Sequence, residues 1–187
     1  MLLPIQSVTS APHEILTKEQ LAALRDIITP DNLQSVDENT RKVLDELIND
    51  DENINAVSLF IDGAADLHTK TAGIGGVFLG ENNIELYRFS EYLDDATNNE
   101  AEYSALIRGL ELGIKLNISN IKIFADSELV VKQVNGEYKV KHKRMKPLHQ
   151  KTIALLDQYS NWSLQHVPRD DNTIADKLSK KGMKQGR

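Results

Sequence analysis

The sequence predicts an α/β fold: a five-stranded mixed sheet flanked by helices, with a small helical segment at the amino-terminal end. From residue 56 onward, three runs rich in β-branched and aromatic residues follow one another, and two more are separated by stretches with helical apolar spacing. Strands joined directly favour antiparallel pairing, whereas strands joined through helices favour parallel pairing. The predicted element order is therefore βββαβααβα.

The three leading strands are predicted at AVSLFID (56–62), GIGGVFLG (73–80) and IELYRFS (84–90). The polar residues 81–83 between the last two strands favour a turn. A long helix is predicted at about 99–115, because Leu106, Leu110 and Ile114 recur every four residues.

The second half of the sheet is predicted to form around helices. The elements expected are a strand at NIKIFAD (120–126), a short helix at SELVVKQV (127–134), a helix at 147–159, a strand at WSLQHV (162–167) and a last helix at 171–181. Asn135 and Gly136 should end the short helix, because glycine readily adopts the left-handed conformation that follows many helices.

Charge divides the chain in two. Residues 1–55 contain four basic and 11 acidic residues, a net charge of -7, whereas residues 56–187 have a net charge of +1. Apolar residues at helical spacing predict two short helices in the first part, followed by a linker at 49–55. We therefore predict an acidic helical extension with its linker at 1–55 and the main domain at 56–187. The extension is too small to bury much surface alone, so it packs on the main domain or on a protein partner.

Composition excludes several classes of protein. The chain has no cysteine, so it has neither disulfides nor thiolate metal ligands. No apolar run approaches the roughly 20 residues that cross a bilayer, and the amino-terminal residues lack the pattern of a secretory signal. These features predict a cytoplasmic protein without a membrane association.

Four acidic residues stand out by position. Asp62 and Asp126 are predicted at the ends of two strands, Glu102 one turn into the long helix, and Asp176 in the last helix. Acids at the carboxyl ends of strands line the crevice where open α/β sheets bind ligands. Each of the four also has an ordinary structural reading, as a turn or cap residue, a first-turn acid or half of a surface ion pair. Spacing permits their convergence without establishing it.

A divalent cation would explain such a convergence. If the strands ending in Asp62 and Asp126 are neighbours, their carboxylates lie roughly 5 Å apart and repel each other. Mg²⁺ prefers hard oxygen ligands and keeps several waters, which suits a few carboxylates together with a substrate phosphate. Two such ions about 4 Å apart can activate water and stabilise the leaving oxygen of a phosphodiester.

Four segments in matching order, FIDGAA, TNNEAEYSALIRGLE, IFADSELVVKQVNGEY and HVPRDDNTIADKLS, closely resemble the type 1 ribonuclease H family over about residues 57–181. The resemblance implies a ribonuclease H-like fold and an endonuclease that hydrolyses the RNA strand of RNA–DNA hybrids by a two-metal-ion mechanism, leaving 5′-phosphate and 3′-hydroxyl ends. It also implies two Mg²⁺ ions, with Mn²⁺ as a substitute. The implied metal ligands and catalytic acids are Asp62, Glu102, Asp126 and Asp176.

Further contacts with the hybrid follow from the resemblance. Asn98 and Asn99 are expected at sugar and base-edge atoms, Thr97 at a DNA phosphate, and the backbone of Gly63 close to the RNA. Recognition of 2′-hydroxyls and groove shape identifies an RNA strand without reading its bases. The densest basic cluster, KVKHKRMK (139–146), is the candidate for phosphate contacts, although a charge run is commonly only a solvated face. Its candidate contact residues are Lys141, Lys143, Arg144 and Lys146.

The chain departs from the family pattern in three places. The long basic protrusion of many relatives is missing, since only about ten residues separate Gly136 from the next helix. Glu100 stands where several relatives have arginine. Relatives often place a histidine in the loop before the last acid, where it assists turnover. His166 aligns with it but is expected at a strand end, so we select Arg169 as the catalytic loop residue.

Two alternatives compete with this interpretation. An exonuclease on the same fold typically has the pattern Asp-x-Glu in its first strand, whereas this chain has Asp62-Gly63-Ala64. A non-catalytic hybrid-binding module would be expected to lack at least one of the four acids. None of the four acids is missing from this chain. The first-strand pattern and the complete set of acids disfavour the two alternatives without excluding them.

Overall fold

Five strands and four α-helices form the main domain in a computed structural model, which describes residues 37–40 and 57–186. The strands are β1 (Val57–Asp66), β2 (Thr71–Leu79), β3 (Glu85–Asp94), β4 (Asn120–Ala125) and β5 (Asn161–His166). The helices are α1 (Asn98–Lys115), α2 (Glu128–Val134), α3 (Met145–Leu156) and α4 (Thr173–Lys184). Short 3₁₀ turns lie at Glu81–Asn83 and Arg169–Asp171.

The predicted fold class and element order are confirmed. The sheet order is β3-β2-β1-β4-β5. The first three strands pair antiparallel, while β1 with β4 and β4 with β5 pair parallel. Strand β1 lies at the centre of the sheet, with the antiparallel partner β2 on one side and the parallel partner β4 on the other.

The first strand is longer than predicted. The sequence run suggested an end at Asp62, but β1 continues to Asp66. The reason is that β1 has two partners of different lengths: its pairing with β4 stops at Ile61 and Ala125, whereas its pairing with β2 continues to Asp66 and Thr71. Asp62 therefore lies within β1, at the level where the neighbouring strand β4 has just ended.

The core lies between the sheet and α1. Leu59, Ile61 and Ile123 on the sheet and Leu106 and Leu110 on α1 are fully buried. Burial of a large aliphatic side chain contributes about 1.5–3 kcal/mol, so this layer is a major stabilising contact of the domain. A capping box fixes the start of α1, where Thr97 and Glu100 satisfy each other's backbone N–H groups.

Helix α4 covers the opposite face of the sheet. Gly75 on β2 pairs with Asp62 on β1, and a Cβ atom at Gly75 would come within 2.3 Å of the backbone nitrogen of Ser179. Glycine is therefore required here for the helix to approach the sheet. This close packing places α4 directly over the part of β1 that contains Asp62.

Most of the acidic extension, including both predicted helices and the linker, lies outside the described residues. Within 37–40, the carboxylate of Asp37 accepts hydrogen bonds from the backbone N–H groups of Asn39 and Thr40 at 3.1 and 3.0 Å. In the part of the chain that the structure covers, no helix has the length and apolar character needed to span a membrane.

Candidate metal centre and nucleic-acid interface

The strand register brings two of the predicted acids together. Ile61 on β1 lies beside Ala125 on the parallel strand β4, so the residues that follow them, Asp62 and Asp126, are neighbours at the carboxyl end of β4. This is the arrangement predicted from the sequence, and it arises from parallel pairing alone.

Helix α1 contributes the third acid across a glycine. A Cβ atom at Gly63 would lie 2.2 Å from the carbonyl carbon of Ala101 and 2.3 Å from the nitrogen of Glu102, so only glycine allows this approach. The backbone N–H of Gly63 donates a 3.3 Å hydrogen bond to Oε2 of Glu102. Gly63 thus positions Glu102, while its predicted contact with RNA stays a prediction.

Asp62, Glu102 and Asp126 form a carboxylate cluster. One oxygen from each lies within 4.8 Å of the others. Asp62 and Glu102 are 3% and 5% exposed, so their charges are largely removed from water. Burial, followed by repulsion from neighbouring acids, raises the pKa of Asp62 to about 6 and that of Glu102 to about 9. Without a cation the folded chain therefore favours protons on these acids, and a positively charged partner would favour their ionised form.

The cluster fits a hard divalent cation. Oδ1 of Asp126 is buried and accepts no hydrogen bond from any residue in the described ranges. Buried polar atoms are normally satisfied, so an unpaired oxygen on a carboxylate of this cluster marks a place for a ligand. Three convergent carboxylates are the donor set that Mg²⁺ and Mn²⁺ prefer.

A serine on α4 orients the cluster, and sequence reasoning missed it. Ser179 is fully buried, and its hydroxyl donates a hydrogen bond to Oδ2 of Asp62. This bond lowers the pKa of Asp62 and so opposes part of the effect of burial. The sequence contained an indication of this contact. Ser179 follows Asp176 by about one helical turn, and Gly73 and Gly75 on β2 allow the helix to pack closely.

Asp176, the fourth predicted acid, lies beside the cluster without joining the three that meet within 4.8 Å. Its carboxylate accepts from Arg169 Nη2 at 2.5 Å and from Lys180 Nζ at 2.7 Å. Burial alone would raise the pKa of Asp176, but these two partners hold it below its usual value. Asp176 is nevertheless close to Asp62, because the Ser179 hydroxyl contacts both the Asp62 carboxylate and the backbone oxygen of Asp176.

The loop before α4 contains the two candidates for a turnover residue. His166 is the last residue of β5, as expected. Arg169 begins the following 3₁₀ turn, its side chain is 66% exposed, and its guanidinium contacts Asp176. Arg169 therefore lies at the rim of the cluster, while its catalytic role stays a prediction.

The predicted hybrid-contacting residues cluster at the start of α1. Asn98 and Asn99 are exposed in its first turn, one turn before Glu102. The Thr97 hydroxyl donates a 2.7 Å hydrogen bond to Oε2 of Glu100, so this hydroxyl already has an internal acceptor. The predicted contact of Thr97 with a phosphate is not tested by this arrangement.

The basic stretch 139–146 covers the end of the connection between α2 and α3 and the first two residues of α3, and Lys141, Lys143 and Lys146 are exposed. Arg144 differs from them, because its Nε lies 2.6 Å from Oε1 of Glu100. The basic loop is therefore fastened to the first turn of α1, next to the exposed asparagines. Glu100, which the sequence marked as a departure from the family, is the residue that fastens it.

Comparisons with known proteins agree with this geometry. A sequence model of the family described as "Reverse transcriptase-like" matches residues 60–182. The "Bifunctional protein Rv2228c" of Mycobacterium tuberculosis is 36% identical over 123 residues, which are 65% of this chain and 34% of that protein. "Ribonuclease HI" of Halobacterium salinarum is 31% identical over 127 residues, 68% of this chain and 64% of that protein. The chain thus spans about a third of the mycobacterial relative.

Solved structures show the same fold. The N-terminal RNase H domain of Rv2228c superposes with a TM-score of 0.67 at 34% identity, covering 70% of this chain and 94% of that one. RNase H1 of Halobacterium salinarum gives a TM-score of 0.67 at 29% identity, with 70% and 99% coverage. LC11-RNase H1, isolated from compost by a metagenomic approach and solved in complex with an RNA/DNA hybrid, gives 0.64 at 34% identity, with 70% and 98% coverage.

Proposed function

Since this chain belongs to the reverse transcriptase-like family and has the ribonuclease H fold, we propose that it is a ribonuclease H. It hydrolyses the RNA strand of RNA–DNA hybrids as an endonuclease and leaves 5′-phosphate and 3′-hydroxyl ends. The observation that supports this most strongly is the cluster of Asp62, Glu102 and Asp126 with an unpaired, buried Asp126 oxygen. The catalytic domain is assigned to residues 56–187.

The chemistry requires metal ions, and Asp62, Glu102, Asp126 and Asp176 are the proposed ligands. Two bound Mg²⁺ ions, or Mn²⁺ in their place, would activate a water and stabilise the leaving oxygen of the phosphodiester. The protein holds the acids in place before substrate arrives: Gly63 hydrogen bonds to Glu102 and Ser179 to Asp62. Such prior orientation is a major source of catalytic rate, because no reorganisation is needed during reaction.

Arg169 and Lys180 bind the two oxygens of one carboxylate, that of Asp176. Both are ion-paired with Asp176, and both side chains are largely exposed. We assign Arg169 to turnover, because an exposed cation that pairs with a proposed metal ligand could neutralise it when metal or product departs. Lys180, one helical turn beyond Asp176, is the structural member of the pair.

Hybrid recognition is assigned to the exposed face around the start of α1. Asn98 and Asn99 lie one turn from Glu102, where 2′-hydroxyls of an RNA strand in the cluster would pass. Gly63 and Thr97 are the further proposed contacts at this edge. Lys141, Lys143, Arg144 and Lys146 are the proposed contacts with phosphates of the partner strand. The structure of LC11-RNase H1 with an RNA/DNA hybrid supports this choice of substrate.

The test is a cleavage assay with end-blocked, labelled RNA–DNA hybrid beside duplex RNA and duplex DNA, with Mg²⁺, Mn²⁺ or EDTA. We expect internal cuts in the RNA of the hybrid alone, dependent on metal, and mass spectrometry should show 5′-phosphate ends. End blocking distinguishes an exonuclease, which would leave the blocked hybrid intact.

Two variants make this assay specific for the site. Asp126→Asn should abolish cleavage, since it removes one proposed ligand charge. The matched control is Asp157→Asn, because Asp157 is exposed and follows α3 at the opposite end of the parallel strands. An intact hybrid with wild-type protein in both metals, or full activity of Asp126→Asn, would overturn the proposal.

A further inference from the structure

Helix α4 exposes a row of four lysines, of which only Lys180 belongs to the proposed site. Lys177, Lys180, Lys181 and Lys184 are all exposed and follow the spacing i, i+3, i+4 and i+7, so they share one helix face. The buried residues of α4 have the same spacing on the other side: Ala175, Leu178, Ser179 and Gly182. The lysine row therefore faces directly away from the sheet.

Asp176 is the one acidic residue on α4, and it pairs with Lys180 alone among the four lysines. The chain contains no Asp or Glu from residue 177 to its end. Lys180 is paired with Asp176, whereas Lys177, Lys181 and Lys184 have no ion pair with any described residue. Three uncompensated positive charges within about 10 Å of helix attract a polyanion.

The row lies beside the carboxylate cluster. Lys180 contacts Asp176, and Ser179 on the same helix contacts Asp62. The basic loop lies on the other side of the cluster, because it is fastened through Arg144 to α1, which packs on the opposite face of the sheet. A nucleic acid bound at the cluster has positive charge on both sides.

From this placement we infer that Lys177, Lys181 and Lys184 form a second phosphate-binding surface for the RNA–DNA hybrid, separate from the basic loop. The inference rests on the proposed function, because that function places a hybrid at the cluster. Lysine suits this contact, since its ammonium binds phosphate as a point charge without reading sequence. The acidic residues 1–55 are the competing occupant, with a net charge of -7.

The experiment uses the full chain with Lys177, Lys181 and Lys184 changed together to Gln, which has nearly the helix propensity of Lys. Lys180 is left unchanged because it contacts Asp176. The control changes three exposed lysines on other surfaces, Lys115, Lys122 and Lys151, to Gln; of these, Lys151 has an ion pair with Glu111. Fluorescence anisotropy measures the Kd of a labelled hybrid in EDTA over a series of salt concentrations, so binding is observed without cleavage.

We expect the α4 variant to bind hybrid about tenfold more weakly at low salt. Its slope of log Kd against log salt should fall by up to about 0.9 for each phosphate that the variant no longer neutralises, while the control keeps the wild-type slope. A wild-type slope in the α4 variant would overturn the inference. A lower melting temperature with unchanged hybrid affinity would also overturn it and would assign the row to the acidic segment.

Failure of the proposed function gives a different result. Wild-type protein that binds hybrid in EDTA but does not cleave it in Mg²⁺ contradicts the ribonuclease assignment, whatever the slope of the variant. Wild-type cleavage combined with an unchanged slope in the α4 variant contradicts only the lysine surface.

Discussion

The carboxylate cluster and the basic loop are the two charged regions of the candidate site, and they are built in opposite ways. Asp62 and Glu102 are almost fully buried and are fixed by hydrogen bonds from Ser179 and Gly63. Lys141 and Lys143 are exposed. Burial of a charge in the cluster has a high desolvation free energy and fixes the position of the side chain. An exposed charge in the loop stays solvated and contributes little free energy by itself. Chemistry should therefore depend on single atoms, and binding on summed charge.

The largest expected effect is that of Asp62→Asn. Asparagine preserves the shape of the side chain but removes the charge that binds cations. Electrostatic contributions of this kind are commonly about 3 kcal/mol or more, or about two decades in rate. We expect kcat in Mg²⁺ to fall at least that far with the fold retained, as measured by steady-state kinetics and circular dichroism. Retention of more than half the wild-type kcat would contradict the assignment.

The cluster should also determine how metal stabilises the fold at different pH. The pKa values of Asp62 and Glu102 are raised to about 6 and about 9, so the folded metal-free chain holds protons that the unfolded chain has released. Its stability therefore falls as pH rises above about 4 and through these two values. Mg²⁺ must displace those protons to bind, and fewer of them are present at high pH. The increase in Tm that Mg²⁺ causes should therefore be larger at about pH 8 than at about pH 5.

Glu102→Gln is the control for this pH effect. The variant lacks the Glu102 carboxyl group, whose pKa of about 9 is the higher of the two. The Tm of the metal-free variant should therefore depend less on pH between about 6 and 9 than that of the wild-type chain. An equal Mg²⁺ stabilisation at both pH values in the wild-type chain would show that cation binding does not involve these acids.

Ser179→Ala should have an intermediate effect. Residues that orient a metal ligand typically change metal affinity or activity by about 10- to 100-fold when they are removed. We expect the Mg²⁺ concentration for half-maximal activity to rise about tenfold, and Mn²⁺ binding measured by calorimetry to weaken in parallel. Ser179→Cys keeps a weak donor of similar size and should recover part of the loss. Equal metal affinity in all three proteins would reduce Ser179 to a packing residue.

Much of the fold and part of the candidate site could be predicted from the sequence. Runs of β-rich residues and helical apolar spacing predicted every strand and helix of the sheet domain, including β2, which is buried on both faces. They placed the end of the first strand too early, since strand length depends on which partner extends furthest, and β2 is longer than β4 at this edge. The grouping of Asp62 with Asp126 followed from parallel pairing.

Side-chain partners could not be predicted in the same way. Ser179 contacts Asp62 only because Gly75 lets α4 approach β2 closely, and Arg144 contacts Glu100 only because the loop folds back on α1. Such contacts depend on three-dimensional packing between elements that are far apart in sequence. One of the two ion pairs of Asp176 could be predicted, because Lys180 follows Asp176 at helical spacing.

The basic loop should respond to mutation more weakly than the cluster. Changing Lys141, Lys143, Arg144 and Lys146 together to Ala should raise KM more than it lowers kcat, because these groups bind ground and transition states alike. The salt slope of hybrid binding should fall by as much as about 0.9 for each phosphate that the loop no longer neutralises. Arg144→Gln alone should test whether fastening to Glu100 contributes. An unchanged salt slope in the quadruple variant would make the loop a solvated face.

Deletion of residues 1–52 should change the chemistry least, because all the proposed metal ligands and hybrid contacts lie in the main domain. We expect Mg²⁺-dependent cleavage with kcat within roughly a decade of the full chain. If Leu21, Leu24, Val43 and Leu47 pack on the domain, the deletion uncovers apolar surface, so a lower Tm or new self-association should appear. Parallel assays and melting curves distinguish the two effects. A folded but inactive truncation would show that the acidic segment helps to build the site, and the division at residue 56 would be wrong.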